Sequence, residues 1–350
     1  MVGLAKQVAR NARGVSSCES SRKQRRGGIE LRNKSQATRR QFAREPARNR
    51  AALRLADRYP PGMTPLSGVW AASLTPLRAD LSPDPERLLA HFRALVSEGC
   101  DGIVLFGTTG EATSFSVSER IALLDRLVAE GVDPGRMIVG VGCAATVDTV
   151  ALSRSSQEHG VAGVLMLPPF FYKAVTDEDL AAAFGWIFGQ LGPEAPPVLL
   201  YNIPQVSGVA VSAALAGQLL ERYPDTVRGV KDSSGDLESL RAFLAAMPGA
   251  SVFAGTELLM VPGMAEGAVG AISAAANVNA RHIRTAFESR DPGDIEVLVQ
   301  ARQALSAHPV IPALKSVVAA RLGDSGWTRV RPPLRSVSAE TGSDLATVMG

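Results

Sequence analysis

The chain has 350 residues, 46% of them hydrophobic, and a formal net charge of +3. That length suits either two ordinary domains or one α/β barrel of about 250 residues with additions, and no apolar run reaches the ~20 residues of a membrane-spanning helix. The charge is unevenly spread. Residues 1–62 hold 16 of the 37 Lys+Arg and 4 of the 34 Asp+Glu, leaving 21 basic and 30 acidic residues for the rest. The basic character therefore belongs to the leader, which argues against a nucleic-acid-binding body.

Residues 1–62 are rich in Arg and Ser, lack sustained apolar periodicity and are expected to be disordered. Three readings compete for them: an organellar transit peptide, a basic arm for nucleic acid or anionic membrane, or residues upstream of a true start at Met63. The last is favoured, because a folded pattern begins directly after that methionine. From there strands and helices alternate. The predicted strands are Gly68–Leu74, Gly102–Phe106, Met137–Gly142, Gly163–Leu167, Val198–Asn202, Val227–Lys231, Ser251–Ala254 and Gly270–Ser273. The predicted helices between and after them are Asp84–Ser97, Val117–Ala129, Thr146–His159, Asp177–Phe188, Ser212–Arg222, Leu237–Met247, Leu258–Ala265 and one from about Asn279. Ser116-Val-Ser-Glu119 forms a capping box before the second helix.

Short strands, apolar on both faces and bounded by turn residues, are the mark of a parallel sheet covered by helices. Eight such units predict a closed (β/α)8 barrel over residues 63–290. No Gly-x-Gly-x-x-Gly follows the first strand, which removes the main sign of a dinucleotide fold. Segments at Pro292–Leu305, Ile311–Arg321 and a last turn near Leu345 form a helical appendix over 291–350. Cys18, Cys100 and Cys143 are an odd set without paired spacing; the last two read as reduced core thiols, in keeping with a cytoplasmic protein. His91, His159, His282 and His308 are scattered, and no ligand spacing for a metal is present.

In a barrel of this kind the chemistry sits at the C-terminal ends of the strands. After residue 62 the only lysines are Lys173, Lys231 and Lys315, and Lys231 ends a predicted strand within Thr226–Asp236. An apolar site favours the neutral amine that attacks carbonyls, although a buried lysine also serves as an ion-pair partner. The second strand ends in Gly107-Thr108-Thr109-Gly110-Glu111, whose hydroxyls and turn amides can cup a small carboxylate or simply form a turn. The fifth ends in Tyr201-Asn202-Ile203-Pro204, where a phenol can carry a proton or pack. An anion cup, a phenol and an amine on one rim suit an anionic carbonyl substrate.

These motifs, with Gly229-Val-Lys-Asp232 and Gly270-Ala-Ile-Ser-Ala-Ala-Ala-Asn277, have the order and spacing of the dihydrodipicolinate synthase / N-acetylneuraminate lyase family, which the chain resembles over about residues 66–335. The resemblance implies a class I aldolase or lyase in which Lys231 forms a Schiff base with pyruvate or another 2-oxo acid. It implies that Thr108 and Thr109 hold the carboxylate with Gly107 and Gly110 around them, that Tyr201 shuttles the proton, and that the Ile272 carbonyl supports the transfer. It implies no metal or organic cofactor, no nucleic-acid or membrane partner, and a homotetramer.

Two departures bear on the substrate. Dihydrodipicolinate synthases place an arginine where Val206 stands, and valine cannot make a bidentate contact to a second carboxylate. The usual relay tyrosine after the fourth strand is Phe171, with Tyr172 adjacent. Gly255 and Glu257, after the seventh strand, are candidate substrate-binding residues, Glu257 for a substrate hydroxyl, with a helix-start charge as its plainer account. Lys173 reads as a solvated lysine, with a second anionic group as the alternative. The expected substrate is a 2-oxo acid such as a 2-keto-3-deoxy sugar acid. The alternatives are 4-hydroxy-tetrahydrodipicolinate synthesis and a non-catalytic member that binds a small ligand.

Overall fold

The computed structural model describes residues 65–349; the three readings of residues 1–62, and Gly350, lie outside the described residues. The strands are β1 (Gly68–Ala72), β2 (Gly102–Leu105), β3 (Met137–Gly140), β4 (Gly163–Met166), β5 (Val198–Asn202), β6 (Val227–Asp232), β7 (Ser251–Ala254) and β8 (Gly270–Ser273). Each pairs in parallel with the next, and β8 closes on β1 with Gly68 opposite Gly270 and Trp70 opposite Ile272. This is a (β/α)8 barrel. Every strand residue is buried, which is why the strands read as continuous apolar runs rather than alternating ones.

Two cores share these strands. Ile103, Leu105, Val139, Val164, Met166, Val198 and Leu200 belong to the core packed under the helices. The residues between them, Val104, Ile138, Leu165 and Leu199, are equally buried and fill the barrel lumen, as the two-residue side-chain period requires. On β6 that period is broken. Val198 pairs with Val227 but Leu199 pairs with Gly229, so Arg228 is an extra residue in the ladder. Val227 and Val230 therefore both lie in the helix-side core, although they are three apart. Without this bulge Lys231 would share the face of Val227; with it, Lys231 stands opposite Tyr201 in the lumen.

The helices are α1 (Pro85–Ser97), α2 (Val117–Ala129), α3 (Thr146–Glu158), α4 (Asp177–Leu191), the one-turn α5 (Pro204–Ser207), α6 (Ala213–Arg222), α7 (Leu237–Ala246), α8 (Met260–Glu266) and α9 (Ala276–Ser289). On α1, Asp84 caps the Arg87 N–H, Pro85 takes the first turn, and Leu88, His91, Phe92 and Leu95 form the buried stripe. The Ser116/Glu119 capping box forms as predicted, and Thr176/Asp179 makes a second one on α4, each cap contributing about 1 kcal/mol. The predicted start of the ninth helix near Asn279 is the residue whose non-helical backbone separates its first turn from the rest. Among the described residues no helix is long and apolar enough to cross a membrane.

Three further helices follow, α10 (Gly293–Ser306), α11 (Val310–Leu322) and α12 (Ala339–Val348). Pro312 to Ala319 of α11 are all buried, as expected of a helix covered on every side. Where the sequence predicts only a last turn near Leu345, α12 is a full helix capped by Ser338. Its apolar signal is weak because its contact with α11 is made partly by Gly342, where a Cβ would lie 2.7 Å from the Ser316 carbonyl oxygen.

Candidate active site

The C-terminal ends of β2, β5 and β6 bring Thr108, Tyr201 and Lys231 into one chain of contacts. Lys231 Nζ lies 3.3 Å from the Tyr201 hydroxyl and 4.4 Å from the centre of its ring. The same hydroxyl is 3.3 Å from Thr108 Oγ1. Tyr201 and Lys231 are 3% and 4% exposed, and neither has a carboxylate among these contacts. Burial pushes the Tyr201 phenol up, but the charge of Lys231 and hydrogen bonds with Thr108, Lys231 and Ser233 outweigh it and hold the phenol below its ordinary value. A buried phenol poised in this way can give and take a proton beside an amine.

The neighbours of these residues in sequence hold the strand ends together. Asn202 Nδ2 donates to Asp232 Oδ1 at 2.9 Å, and Asn202 Oδ1 accepts from the Val211 N–H. Asp232 also accepts from the Ser234 N–H and hydroxyl. Thus Tyr201 and Lys231 point into the lumen while Asn202 and Asp232, one residue on, lock β5 to β6 behind them. Gly255 belongs to the same arrangement. Its N–H donates to Asp232 O at 2.7 Å, and a Cβ there would lie 2.1 Å from Ser233 Oγ. It is a point of close backbone approach, with its amide already engaged.

The turn after β2 is bracketed by two non-glycine residues in the left-handed region, Phe106 at φ 52° and Glu111 at φ 57°. Such residues persist only where the surroundings over-determine them. The turn closes through Gly110 N to Gly107 O at 3.0 Å and Glu111 N to Thr108 O at 3.1 Å, bonds that leave the Thr108 and Thr109 amides unused. Thr75 Oγ1 donates to Gly110 O, where a Cβ would lie 3.0 Å from Ser73 O. Glu111 is fully buried against Lys315 of α11 and accepts from the Arg331 N–H at 3.0 Å. Lys315 also donates to Arg329 O at 2.7 Å. The third lysine of the body is thus a structural ion pair that fixes the end of the cup.

Glu257, predicted to meet a substrate hydroxyl, is instead held in a buried ion pair. It is 0% exposed, its Oε1 accepts from Arg302 Nε at 2.8 Å, and its Oε2 accepts from Arg302 Nη2 and Ser273 Oγ, each at 2.5 Å. Burial pushes its carboxyl up, but the Arg302 guanidinium and the Ser273 hydroxyl hold it below the ordinary value. A carboxylate so engaged anchors α10 to the end of β8. Lys173 is likewise committed, donating to Phe170 O and Ser207 O at 2.5 Å each.

A cavity of about 220 Å³ opens beside Thr108 and Tyr201. Its wall includes Leu165, Leu167, Phe170, Ile203 and Val206; Lys231, in contact with Tyr201, is not in that wall. The predicted specificity pair Phe171 and Tyr172 does not line it. These residues are 69% and 74% exposed and meet edge to face at 5.4 Å, because the loop turns Phe170 inward and its successors outward. Ile272 lies in the lumen layer of β8, opposite Trp70. Phe170, Leu167, Thr113 and Ser233 escaped the sequence reading. The rule that each strand end contributes to the site would have pointed to the β3 and β4 ends, but not to which loop residue turns inward. Among the described residues no group of three or more His, Cys, Asp or Glu could hold a metal ion.

Residues 65–349 match the model of the dihydrodipicolinate synthetase family. An uncharacterized DapA-like lyase of Chloroflexus aurantiacus is 36% identical over 78% of this chain and 92% of its own. The crystal structure of dihydrodipicolinate synthase from Agrobacterium tumefaciens superposes with a TM-score of 0.77 at 34% identity, over 81% of this chain and 98% of that one. N-acetylneuraminate lyase from Aliivibrio salmonicida gives 0.72 at 27%, over 82% and 97%.

Proposed function

We propose that this chain, which belongs to the dihydrodipicolinate synthetase family, is a Schiff-base-forming, pyruvate-dependent aldolase or lyase with Lys231 as nucleophile. The observation that carries the proposal is the buried chain Lys231 Nζ–Tyr201 OH–Thr108 Oγ1, with 3.3 Å at each step. In this reading the Lys231 amine adds to C2 of pyruvate and water leaves through Tyr201, giving an imine. Loss of a proton from C3 makes the enamine, whose carbon adds to an aldehyde; the reverse order cleaves a 4-hydroxy-2-oxo acid. The carboxylate rests on the Thr108 and Thr109 amides and the Thr109 hydroxyl, and the Ile272 carbonyl assists the transfer.

Relatives named as dihydrodipicolinate synthases support a lysine-pathway condensation as the second reading. Against it stands Val206, which is 61% exposed in the cavity wall and supplies no charge to aspartate semialdehyde. A ligand-binding role without catalysis is the remaining alternative. By family likeness the protein works as a cytoplasmic homotetramer, with Phe171 and Tyr172 reaching a second copy. Borohydride reduction in the presence of pyruvate, followed by peptide mass analysis, tests the reading: a covalent adduct on Lys231 supports it, and an unmodified Lys231 ends it.

A further inference from the structure

Several polar side chains beside the cavity make hydrogen bonds to protein. Lys173 donates to two backbone carbonyls, and Gln205 Nε2 donates to Ser233 O at 2.6 Å. Ser207 Oγ donates to Val209 O at 2.6 Å and also contacts Ile203 O and the Val209 N–H. Arg120, behind Gly140, donates to the Gly140 carbonyl and to Cys143 Sγ. Glu257, predicted to meet a substrate hydroxyl, is held by Arg302 and Ser273.

What remains toward the cavity is Ala112, Leu165, Leu167, Phe170, Ile203 and Val206. Among the lining residues none carries a charge, and beyond Thr108, Tyr201 and the engaged Ser207 only Thr113 adds a side-chain hydroxyl. A second carboxylate or phosphate placed against this lining would meet no charged lining residue, and the hydroxyls of a polyhydroxy chain would find few side-chain partners there. An apolar substituent would instead be removed from water against apolar carbon.

We infer that the partner of the pyruvate enamine is an uncharged, apolar aldehyde, branched-aliphatic or aromatic, rather than aspartate semialdehyde or a sugar-derived aldehyde. This inference rests on the Schiff-base reading above. Atoms and electrons balance without a redox partner. The enamine carbon bonds to the aldehyde carbon, the aldehyde oxygen takes a proton to become a hydroxyl, and water releases the 4-hydroxy-2-oxo acid from Lys231. In the cleavage direction the same site splits a 4-hydroxy-2-oxo acid with an apolar substituent on C4.

The experiment has two stages on the full-length protein. Borohydride trapping with pyruvate first establishes whether Lys231 forms the imine; an untrapped Lys231 overturns the Schiff-base reading and this inference with it. Pyruvate consumption is then measured with isobutyraldehyde, benzaldehyde, glyceraldehyde and aspartate semialdehyde. The expected result is kcat/KM at least about tenfold higher for the two apolar aldehydes, the scale on which an apolar pocket discriminates. Val206→Arg, at an exposed position that tolerates the change in folding, is expected to move the preference towards aspartate semialdehyde. Normal trapping combined with equal or better use of glyceraldehyde or aspartate semialdehyde overturns the inference and leaves the Schiff-base reading standing.

Discussion

Lys231 on β6 and Lys315 on α11 are buried to nearly the same degree, 4% and 0% exposed, yet their surroundings differ in kind. Lys315 meets a carboxylate, Glu111, and a backbone carbonyl, so its charge is matched and its amine is not available for chemistry. Lys231 meets a phenol, which is itself shared with Thr108. A neutral phenol hydrogen-bonds the amine without fixing it as an ammonium; a carboxylate at contact distance stabilises the charged form. What separates a proposed nucleophile from a structural lysine in this barrel is the partner, not the burial.

Substitutions at the two sites should therefore separate chemistry from stability. Lys231→Ala is expected to abolish borohydride trapping by pyruvate while the thermal midpoint stays near that of the parent protein. A retained adduct on the protein would place the nucleophile elsewhere. Tyr201→Phe keeps the ring and removes the proton carrier, and turnover should fall by about 10²–10⁴ with the fold intact by circular dichroism. Lys315→Ala leaves Glu111 buried without its cation and is expected to cost about 3–5 kcal/mol in denaturant unfolding. The fraction still folded should trap pyruvate. If Lys315→Ala proved as stable as the parent, the ion pair would not be what holds the cup.

The smallest effect concerns Glu119, which pairs with Arg331 beside the same cup. The Arg331 side chain holds the Glu119 carboxyl down to about 2 from an ordinary 4.5. A carboxyl whose folded value is depressed stabilises the fold above its unfolded value and loses that contribution as pH falls through the folded one. Stability should therefore hold above pH 4.5 and decline from there towards about 2. Glu119→Gln should flatten part of that decline and lower stability at neutral pH by the same amount, a small one because the pair is partly exposed. An acid limb identical to the parent's would show that Glu119 does not contribute to it.

Much of this was legible from the chain alone. The eight strand–helix units follow from apolar runs punctuated by turn residues, and the strand ends gave Thr108, Tyr201 and Lys231 because barrels present their chemistry there. Glu111 and Glu257 were legible as carboxylates at strand ends but not as buried ion pairs, since their partners Lys315 and Arg302 lie 204 and 45 residues away. Phe170 and Phe171 are adjacent aromatics with the same composition signal, and only the path of the loop turns one inward.

The sequence by itself determined the periodicities, the caps and the residue types on the rim, because these depend on local sterics and on the side-chain period of strand and helix. Only the tertiary structure decided which side each group faces. The Arg228 bulge puts Lys231 opposite Tyr201, distant side chains consume Glu111 and Glu257, and Lys173, Gln205 and Ser207 are taken up by neighbouring backbone. Those outcomes depend on which hydrogen-bond partner the fold brings alongside, and a partner supplied by another part of the fold leaves no mark at the position it satisfies.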